Sequence, residues 1–501
     1  MRGKKTLINT ILSLSEELVA IVCGFILPRL ILIFFGSKYN GLTTSITQFL
    51  ACAVLLRAGI GGATRAALYK PIADNNIDEL NGIVRATDIF MKKIGIILGC
   101  AIIMFAAIYP FFVRDEFEWM FTFSLFIIIG ASTFAESFFG ITYLIVLQAD
   151  QRLWVSSVIK IICYIGNTIL SVLLMYSGCS LHLVKFGSAV IYVLYPICLN
   201  MYVVKHYKID KMIEPNNKAI AQRWDAFWQQ VAVFVMNNTD VIVLTIFTNM
   251  LEVSVYSVYN LVATGLKRLV TAFSNGLEAA FGNMIARNEL QSLKENVSLV
   301  EIIMYSISTI AYTVAALLIF DFVTLYTKGI TDVNYQRPAF AYLLLIAQFF
   351  NGIRLPYQLV VQAAGHYKQT KKGAIIEPII NLMLSIILVL KMGLVGVAIG
   401  TLAATIFRTL QYSIYMSKNI VHRNQQITFY KVFVSGLQSA IVIMIANMLP
   451  YFEVTNFFDW VIKAIATTAI CISVVILGDL IAYNREMRLL IYKCKIAIHR
   501  K

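Results

Sequence analysis

The chain has 501 residues, of which 59% are hydrophobic and only 14% are charged, and its formal net charge is +15. With a mean hydropathy of +0.75, this composition excludes a soluble globular domain and indicates a polytopic membrane protein. The positive charge is expected to follow from basic cytoplasmic connections and contact with anionic lipid, so we expect no nucleic-acid partner.

Long apolar stretches recur along the whole sequence. A helix that crosses a bilayer needs about 20 mostly apolar residues, and about fourteen stretches meet that length. They are residues 7–35, 42–69, 89–113, 119–148, 153–177, 182–204, 224–249, 253–285, 297–322, 338–364, 373–390, 394–417, 429–451 and 457–483. The sequence therefore predicts an all-α protein with short connections and no room for a folded soluble domain.

The connections alternate in charge. One alternate set carries most of the lysines and arginines outside the apolar stretches, whereas the other set holds Lys38, Arg114, Lys328, Arg337 and Lys391. Because basic connections stay on the cytoplasmic side, this pattern predicts that both termini are cytoplasmic and that the number of spans is even.

Basic side chains deep inside the apolar stretches are the strongest functional signal. A charge at membrane depth costs at least ~3 kcal/mol on the insertion scale, so such a residue normally faces a wet cavity, a partner charge or a ligand. The candidate residues for binding an anionic substrate are Arg57, Arg65, Lys267, Arg268 and Arg354. On one helix Arg57, Gly61 and Arg65 would share a face, with the glycine leaving space for a bulky anion between two guanidinium groups.

A structural interpretation of these residues stays open. Each could pair with a buried carboxylate or extend toward the membrane interface. Arg408 belongs to the same group of embedded cations, and Glu136, Glu278 and Glu377 are available as partners.

Embedded acids and amides are candidates for ion coupling. Asn237 and Asp240 lie one turn apart in the seventh stretch, where they could bind a coupling proton or sodium ion or instead form a hydrogen bond between helices. Glu16 and Glu17 near the start of the first stretch raise the same question. No nucleophile with its base, phosphate loop or metal-ligand spacing is evident, so we expect neither an enzyme nor a bound cofactor, beyond coupling to a proton or sodium gradient.

The sequence contains a weak internal repeat. A shift of about 213 residues superposes the first six stretches on the next six. Under it, Asn167 and Ser171 correspond to Asn381 and Ser385. Two units of six helices enter the membrane from the same side, so a pseudo-two-fold axis along the membrane normal is expected. The predicted boundaries are 1–212, 213–426 and 427–501, the last part being two additional helices and a basic tail.

Local motifs resemble those of bacterial lipid-linked oligosaccharide flippases, the polysaccharide-export branch of the superfamily that includes the MATE exporters and the lipid II flippases. The motifs are YNGL at 39–42, LLRAGIGGA at 55–63, YKP at 69–71, NNTD at 237–240 and VYSVY at 255–259. The resemblance implies two six-helix lobes around a basic cavity in the bacterial inner membrane. It also implies that an undecaprenyl-diphosphate-linked glycan is carried by alternating access, with glycosyltransferases and a polymerase as partners.

Two other functions are compatible with the same architecture. A MATE-type multidrug exporter of cations would be expected to line its cavity with carboxylates and aromatic residues, which the basic residues argue against. A membrane-embedded polysaccharide polymerase commonly needs a long external loop, and the longest external connection, about residues 321–337, is short.

Overall fold

The architecture is all-α throughout the described part of the chain, which confirms the predicted fold class. The computed structural model describes residues 2–54, 60–74, 76–207, 209–210, 212–216, 238–274, 277–287, 289–448 and 452–499. These residues divide into two compact units, Met1–Ser254 and Val255–Lys501. The predicted boundaries at 212 and 426 stay predictions.

In the described residues, the first unit contains nine α-helices and the first turn of a tenth. They are α1 Arg2–Phe35, α2 Ser37–Val54, α3 Ile60–Ala73, α4 Ile77–Ile108, α5 Trp119–Ala135, α6 Ile141–Ala149, α7 Leu153–Tyr176, α8 Leu181–Tyr207 and α9 Asn238–Phe247. A short 3-10 helix, Tyr109–Phe112, follows α4, and a π-helical turn, Glu136–Gly140, joins α5 to α6.

The second unit begins within α10 and ends at the last helix. Its helices are α10 Met250–Ala272, α11 Leu277–Ala286, α12 Leu290–Tyr326, α13 Pro338–Ala363, α14 Tyr367–Met392, α15 Leu394–Asn419, α16 Gln426–Met448, α17 Phe457–Ala482 and α18 Asn484–His499. The single residue between α14 and α15 is Gly393, whose φ of +54° few other residues adopt.

Eleven helical segments in the described ranges are long and apolar enough to cross a membrane. Each corresponds to one of the predicted stretches. The other three predictions, 42–69, 224–249 and 253–285, include residues outside the described ranges. The first and last of these are described as helix pairs, α2 with α3 and α10 with α11. The protein is therefore a multi-pass membrane protein.

Small residues fix how closely neighbouring helices pack. A Cβ on Gly396 would overlap the backbone of α14 at Leu388, and one on Gly400 would overlap Ser385. In the first unit a Cβ on Gly95 would come within 2.8 Å of the Phe138 side chain. Glycine at these positions lets helix backbones approach, as small residues do at membrane helix contacts.

The repeat found in the sequence has a counterpart in hydrogen bonding. In the first unit Ser171 Oγ donates to Asn167 Oδ1 at 3.4 Å. At the corresponding positions of the second unit, Ser385 Oγ donates to Asn381 Oδ1 at 3.1 Å. The aligned residues thus make a similar side-chain contact between positions four apart on α7 and on α14, and the repeat stays a prediction.

A buried ionic cluster attaches α16 to the second unit. Glu301 on α12 is fully buried. Its carboxylate accepts hydrogen bonds from both terminal nitrogens of Arg423 and, at 2.5 Å, from Lys431 Nζ. Burial lowers the pKa of Arg423, but the Glu301 carboxylate outweighs this and holds the pKa above its ordinary value. The cluster links α12, the connection after α15 and α16.

Replacing Glu301 by glutamine tests this attachment. Glu301→Gln keeps the side-chain size but leaves Arg423 and Lys431 buried without their counter-charge, so we expect a loss of about 3–5 kcal/mol in the free energy of unfolding. The thermal unfolding midpoint of the purified protein in detergent measures it. The control is Glu295→Gln on the same helix. Among the described residues, the Glu295 carboxylate bonds only to Gln291, at the surface. Equal midpoints for the two variants would contradict the attachment.

Candidate functional site

Three charged side chains meet inside the second unit. Arg354 on α13 bonds through Nη1 to Glu377 Oε1 on α14 at 2.6 Å. Arg408 on α15 places Nε 3.4 Å from Glu377 Oε2. The side chains are 17%, 10% and 6% exposed, in the order Arg354, Glu377, Arg408. We call these three residues the Glu377 cluster, in which one carboxylate is shared by two guanidinium groups.

The guanidinium group of Arg408 is held from several sides. Its Nη1 donates to the Thr370 carbonyl oxygen at 3.1 Å and also to the side chain of Gln411. Its Nη2 donates to the Tyr412 hydroxyl at 2.7 Å. The guanidinium carbon lies 4.0 Å from the centroid of the Tyr412 ring, within cation–π distance. Arg408 is therefore a fixed charge, oriented by α14 and α15 together.

Arg354 is less completely bonded. Its Nε is buried and has no hydrogen-bond partner among the described residues. Lys267 on α10 interacts electrostatically with both Arg354 and Glu377. Among the described side chains of the Glu377 cluster, two arginines share one carboxylate, which leaves the cluster with one net positive charge. A buried region of this sign attracts an anion, and an unsatisfied guanidinium N–H is a donor for it.

Local packing brings the cluster together. The helices α13, α14 and α15 are consecutive in the chain, and α15 packs against both α13 and α14. Gly373 on α14 faces the Gln411 side chain so closely that a Cβ there would overlap it. Because Gln411 also accepts from Arg408, the small residue at 373 allows the side chain that orients Arg408 to lie between the helices.

The other predicted substrate residues lie in different surroundings. Arg268 is exposed, unlike its half-buried neighbour Lys267, because successive helical residues point about 100° apart. In the first unit Arg65 is half-buried and its Nη1 lies 3.4 Å from Gln148 Oε1, a long contact. Arg57 lies outside the described residues. The structure thus brings Lys267 and Arg354 together, and their roles stay predictions.

The predicted ion-coupling residues are only partly described. Asp240 lies on α9 and is 7% exposed, and its predicted role stays a prediction. Asn237 lies outside the described residues. The choice between ion coupling and a hydrogen bond between helices therefore stays open for this pair.

A second polar region lies inside the first unit. Lys160 on α7 pairs with Glu16 on α1 at 3.0 Å, and its ammonium lies 5.8 Å from the ring centroid of Tyr195. Beside them is a cavity of about 210 Å³ whose wall includes Glu136, Tyr164 and Tyr192. Glu136 begins the π-helical turn after α5. Such turns often occur at functional sites because they redirect side chains.

Sequence reasoning identified Glu16 and Glu136 but not Lys160. The available signal was the one applied to the arginines, a basic residue within an apolar stretch. Lys160 lies about two turns from the start of its helix. A lysine at that position can simply extend toward the membrane interface. Only the tertiary contact with α1 distinguishes a lysine paired with an acid from one that extends.

The shared carboxylate generates a test of the Glu377 cluster. Arg354→Met or Arg408→Met alone leaves Glu377 with one arginine, whereas the double variant removes both. We therefore expect the double variant to lose about 0.5–3 kcal/mol more stability than the sum of the two single losses. Thermal unfolding of all four proteins in the same detergent measures this coupling. Additive losses would show that the two arginines do not share one carboxylate.

No protein-family model matches the sequence, and no curated protein matches it significantly. Solved structures do match. A lipid II flippase MurJ in an inward closed conformation aligns with a TM-score of 0.72 and 14% identity, covering 95% of this chain and 99% of that one. An inward-facing multidrug-resistance MATE family transporter aligns at 0.61 and 13%, covering 82% and 98%. The Vibrio cholerae MATE transporter VcmN aligns at 0.53 and 13%, covering 84% and 99%. The chain therefore has the fold that these flippase and transporter structures share.

Proposed function

We propose that the protein carries undecaprenyl-diphosphate-linked oligosaccharide units across the bacterial inner membrane by alternating access. The observation that carries this proposal is the excess of positive charge at the Glu377 cluster. Arg354 and Arg408 share one carboxylate, so these three side chains carry one net positive charge. A transported group that meets these residues should be an anion.

A diphosphate suits this arrangement chemically. Guanidinium groups bind phosphate oxygens with paired N–H donors, whereas an ammonium group acts as a point charge. The free Nε of Arg354 provides a donor that no described protein atom uses. Glu377 lowers the cost of burying the cluster before substrate arrives, because it compensates part of the positive charge. An arriving phosphate would take over that role from the carboxylate.

The fold supports transport of a lipid-linked substrate. The MurJ structure, which aligns over 95% of this chain, is named as a lipid II flippase. The local motifs in the sequence favour the oligosaccharide branch over lipid II itself. On this proposal the glycosyltransferases that build the repeat unit and the polymerase that uses it are the partners, and membrane lipid surrounds the chain.

Ion coupling is part of the proposal. Asp240 is a buried carboxyl on the short apolar helix α9 of the first unit. We propose that Asp240, with Asn237, binds the proton or sodium ion whose gradient drives the cycle. No bound cofactor is required for this chemistry, and we propose no reaction on the substrate.

The experiment is lipid exchange in reconstituted vesicles. A fluorescent undecaprenyl-diphosphate sugar is placed in the bilayer, and the fraction reached by a membrane-impermeant quencher is followed over time. We expect the wild type to accelerate exchange between leaflets, and Arg354→Gln to slow it at least tenfold because the phosphate loses a guanidinium partner. Arg114→Gln is the matched control, since the Arg114 side chain is 76% exposed, and it should behave as wild type.

Different results would select different functions. Failure of the folded wild type to accelerate exchange would overturn the proposal. Extrusion of a cationic dye by vesicles that show no lipid exchange would instead identify a multidrug exporter. Unchanged exchange by Arg354→Gln, measured per folded protein, would remove the Glu377 cluster from the substrate path and assign it a structural role.

A further inference from the structure

A lysine without a partner lines a second cavity of the first unit. Lys185 lies one turn into α8 and forms part of the wall of a cavity of about 240 Å³ between α1, α5, α7 and α8. It makes no hydrogen bond or ion pair with any residue that the structure describes. An ammonium group in such a position needs water or an anion. We call this space the Lys185 cavity.

Besides Lys185, the described wall of this cavity has five polar side chains and no acidic one, and the rest of the wall is apolar. The polar members are Ser132, Asn167, Ser171, Ser188 and Tyr192. Among the described residues, Lys185 is the single charged residue of this wall, and its ammonium group gives the wall a positive charge.

The polar groups are loosely bonded to one another. Asn167 Nδ2 donates to the Tyr192 hydroxyl at 3.2 Å. The Ser171 hydroxyl lies 3.4 Å from both Asn167 Oδ1 and Ser188 Oγ. Hydroxyl hydrogen bonds are usually 2.5–3.0 Å long. The Ser132 and Ser188 hydroxyls donate to the backbone carbonyls of Ile129 and Val184 at 3.1 Å and keep oxygen lone pairs as acceptors. The long contacts of Ser171 leave its hydroxyl available to a polar ligand.

The size of the cavity limits the ligand. A volume of about 240 Å³ corresponds to about eight water molecules of roughly 30 Å³ each. That is below the roughly 300–1,000 Å³ of sites for drug-sized ligands. Ser132 and Tyr192 also line the neighbouring cavity beside Lys160, so the two spaces adjoin. The Lys185 cavity can therefore receive one small anionic group, such as a single sugar ring with its carboxylate.

We propose that the Lys185 cavity binds a carboxylate-bearing sugar, with Lys185 pairing the carboxylate and Asn167, Ser171 and Ser188 bonding the sugar hydroxyls. The assignment of the sugar rests on the proposed function, in which a glycan passes through the protein. The cavity is distinct from the Glu377 cluster, which lies in the other unit. If Lys185 merely extended toward the interface, as lysines near helix ends do, no anion would bind here.

Binding of free sugars to the full-length protein in lipid nanodiscs tests the proposal. Saturation-transfer NMR with glucuronate, and with glucose as its neutral counterpart, detects weak binding. We expect a signal for glucuronate that glucose does not give. Lys185→Met should weaken it at least tenfold, since the methionine is similar in length but uncharged. Lys391→Met, which removes an exposed lysine near the end of α14, should leave it unchanged.

A second variant guards against misfolding of the first. Asn167→Asp places a carboxylate of nearly the same shape in the wall of the cavity. Its negative charge opposes that of the incoming sugar carboxylate, so glucuronate binding should again be lost. Equal binding of glucuronate and glucose, or glucuronate binding that survives both Lys185→Met and Asn167→Asp, would overturn the proposal. Binding of phosphate or chloride that depends on Lys185, without binding of glucuronate, would show an inorganic-anion site and would also overturn it.

The outcome is separable from that of the lipid-exchange experiment. Glucuronate binding requires no movement of lipid, so a wild type that binds the sugar but does not exchange lipid would contradict the flippase and leave the site standing. Exchange of a lipid-linked sugar by a wild type that does not bind glucuronate would support the flippase and contradict the sugar site.

Discussion

Burying charge at membrane depth is the constraint on which the rest of this structure depends. An isolated ion there is too costly, whereas a fully neutralised pair offers nothing to a ligand. The Glu377 cluster lies between these limits, because Glu377 serves both Arg354 and Arg408. The cluster of Glu301, Arg423 and Lys431 has the same ratio of two cations to one acid. There Glu301 is fully buried, whereas Arg354 in the Glu377 cluster keeps an Nε donor that has no partner among the described residues. The same ratio of charges therefore gives a candidate binding site at Glu377 and a structural attachment at Glu301.

Most of the fold could be predicted because the bilayer restricts the possible structures so strongly. Eleven predicted stretches correspond to spanning helices, since an apolar stretch of sufficient length in a membrane has little alternative to a helix. The helix ends were less predictable. The stretch starting at Ile89 extends back to Ile77 in α4, because polar residues continue the helix beyond the apolar core. Hydropathy does not mark this start, whereas the N-cap Asn76, which accepts from the Glu79 backbone N–H, does. The π-helical turn at Glu136 was also not predicted, since no sequence signal was available for it.

The sites were predictable as residue types but not as partners. The depth of Arg354 was evident from the sequence, and Glu377 was one of three acids offered as its partner. Which acid pairs with which arginine depends on packing between α13, α14 and α15, and one sequence gives no measure of that. Lys160 and Lys185 were missed because a lysine within two turns of a helix end has a sufficient explanation in the interface. Their different states, one paired with Glu16 and the other facing a cavity, depend on contacts between helices far apart in the chain.

The π-helical turn between α5 and α6 has a further consequence for the whole helix. A π turn contains about one residue more than an α turn, and one helical residue corresponds to a rotation of about 100°. Every side chain after Gly140 is therefore rotated relative to the phase set by α5, including Gln148, which meets Arg65. A protein of the same fold without this extra residue would direct a different face of α6 toward α3. When α5 and α6 are aligned with a helix that lacks the π turn, a one-residue gap is therefore needed at 136–140 to keep the side chains of both in phase.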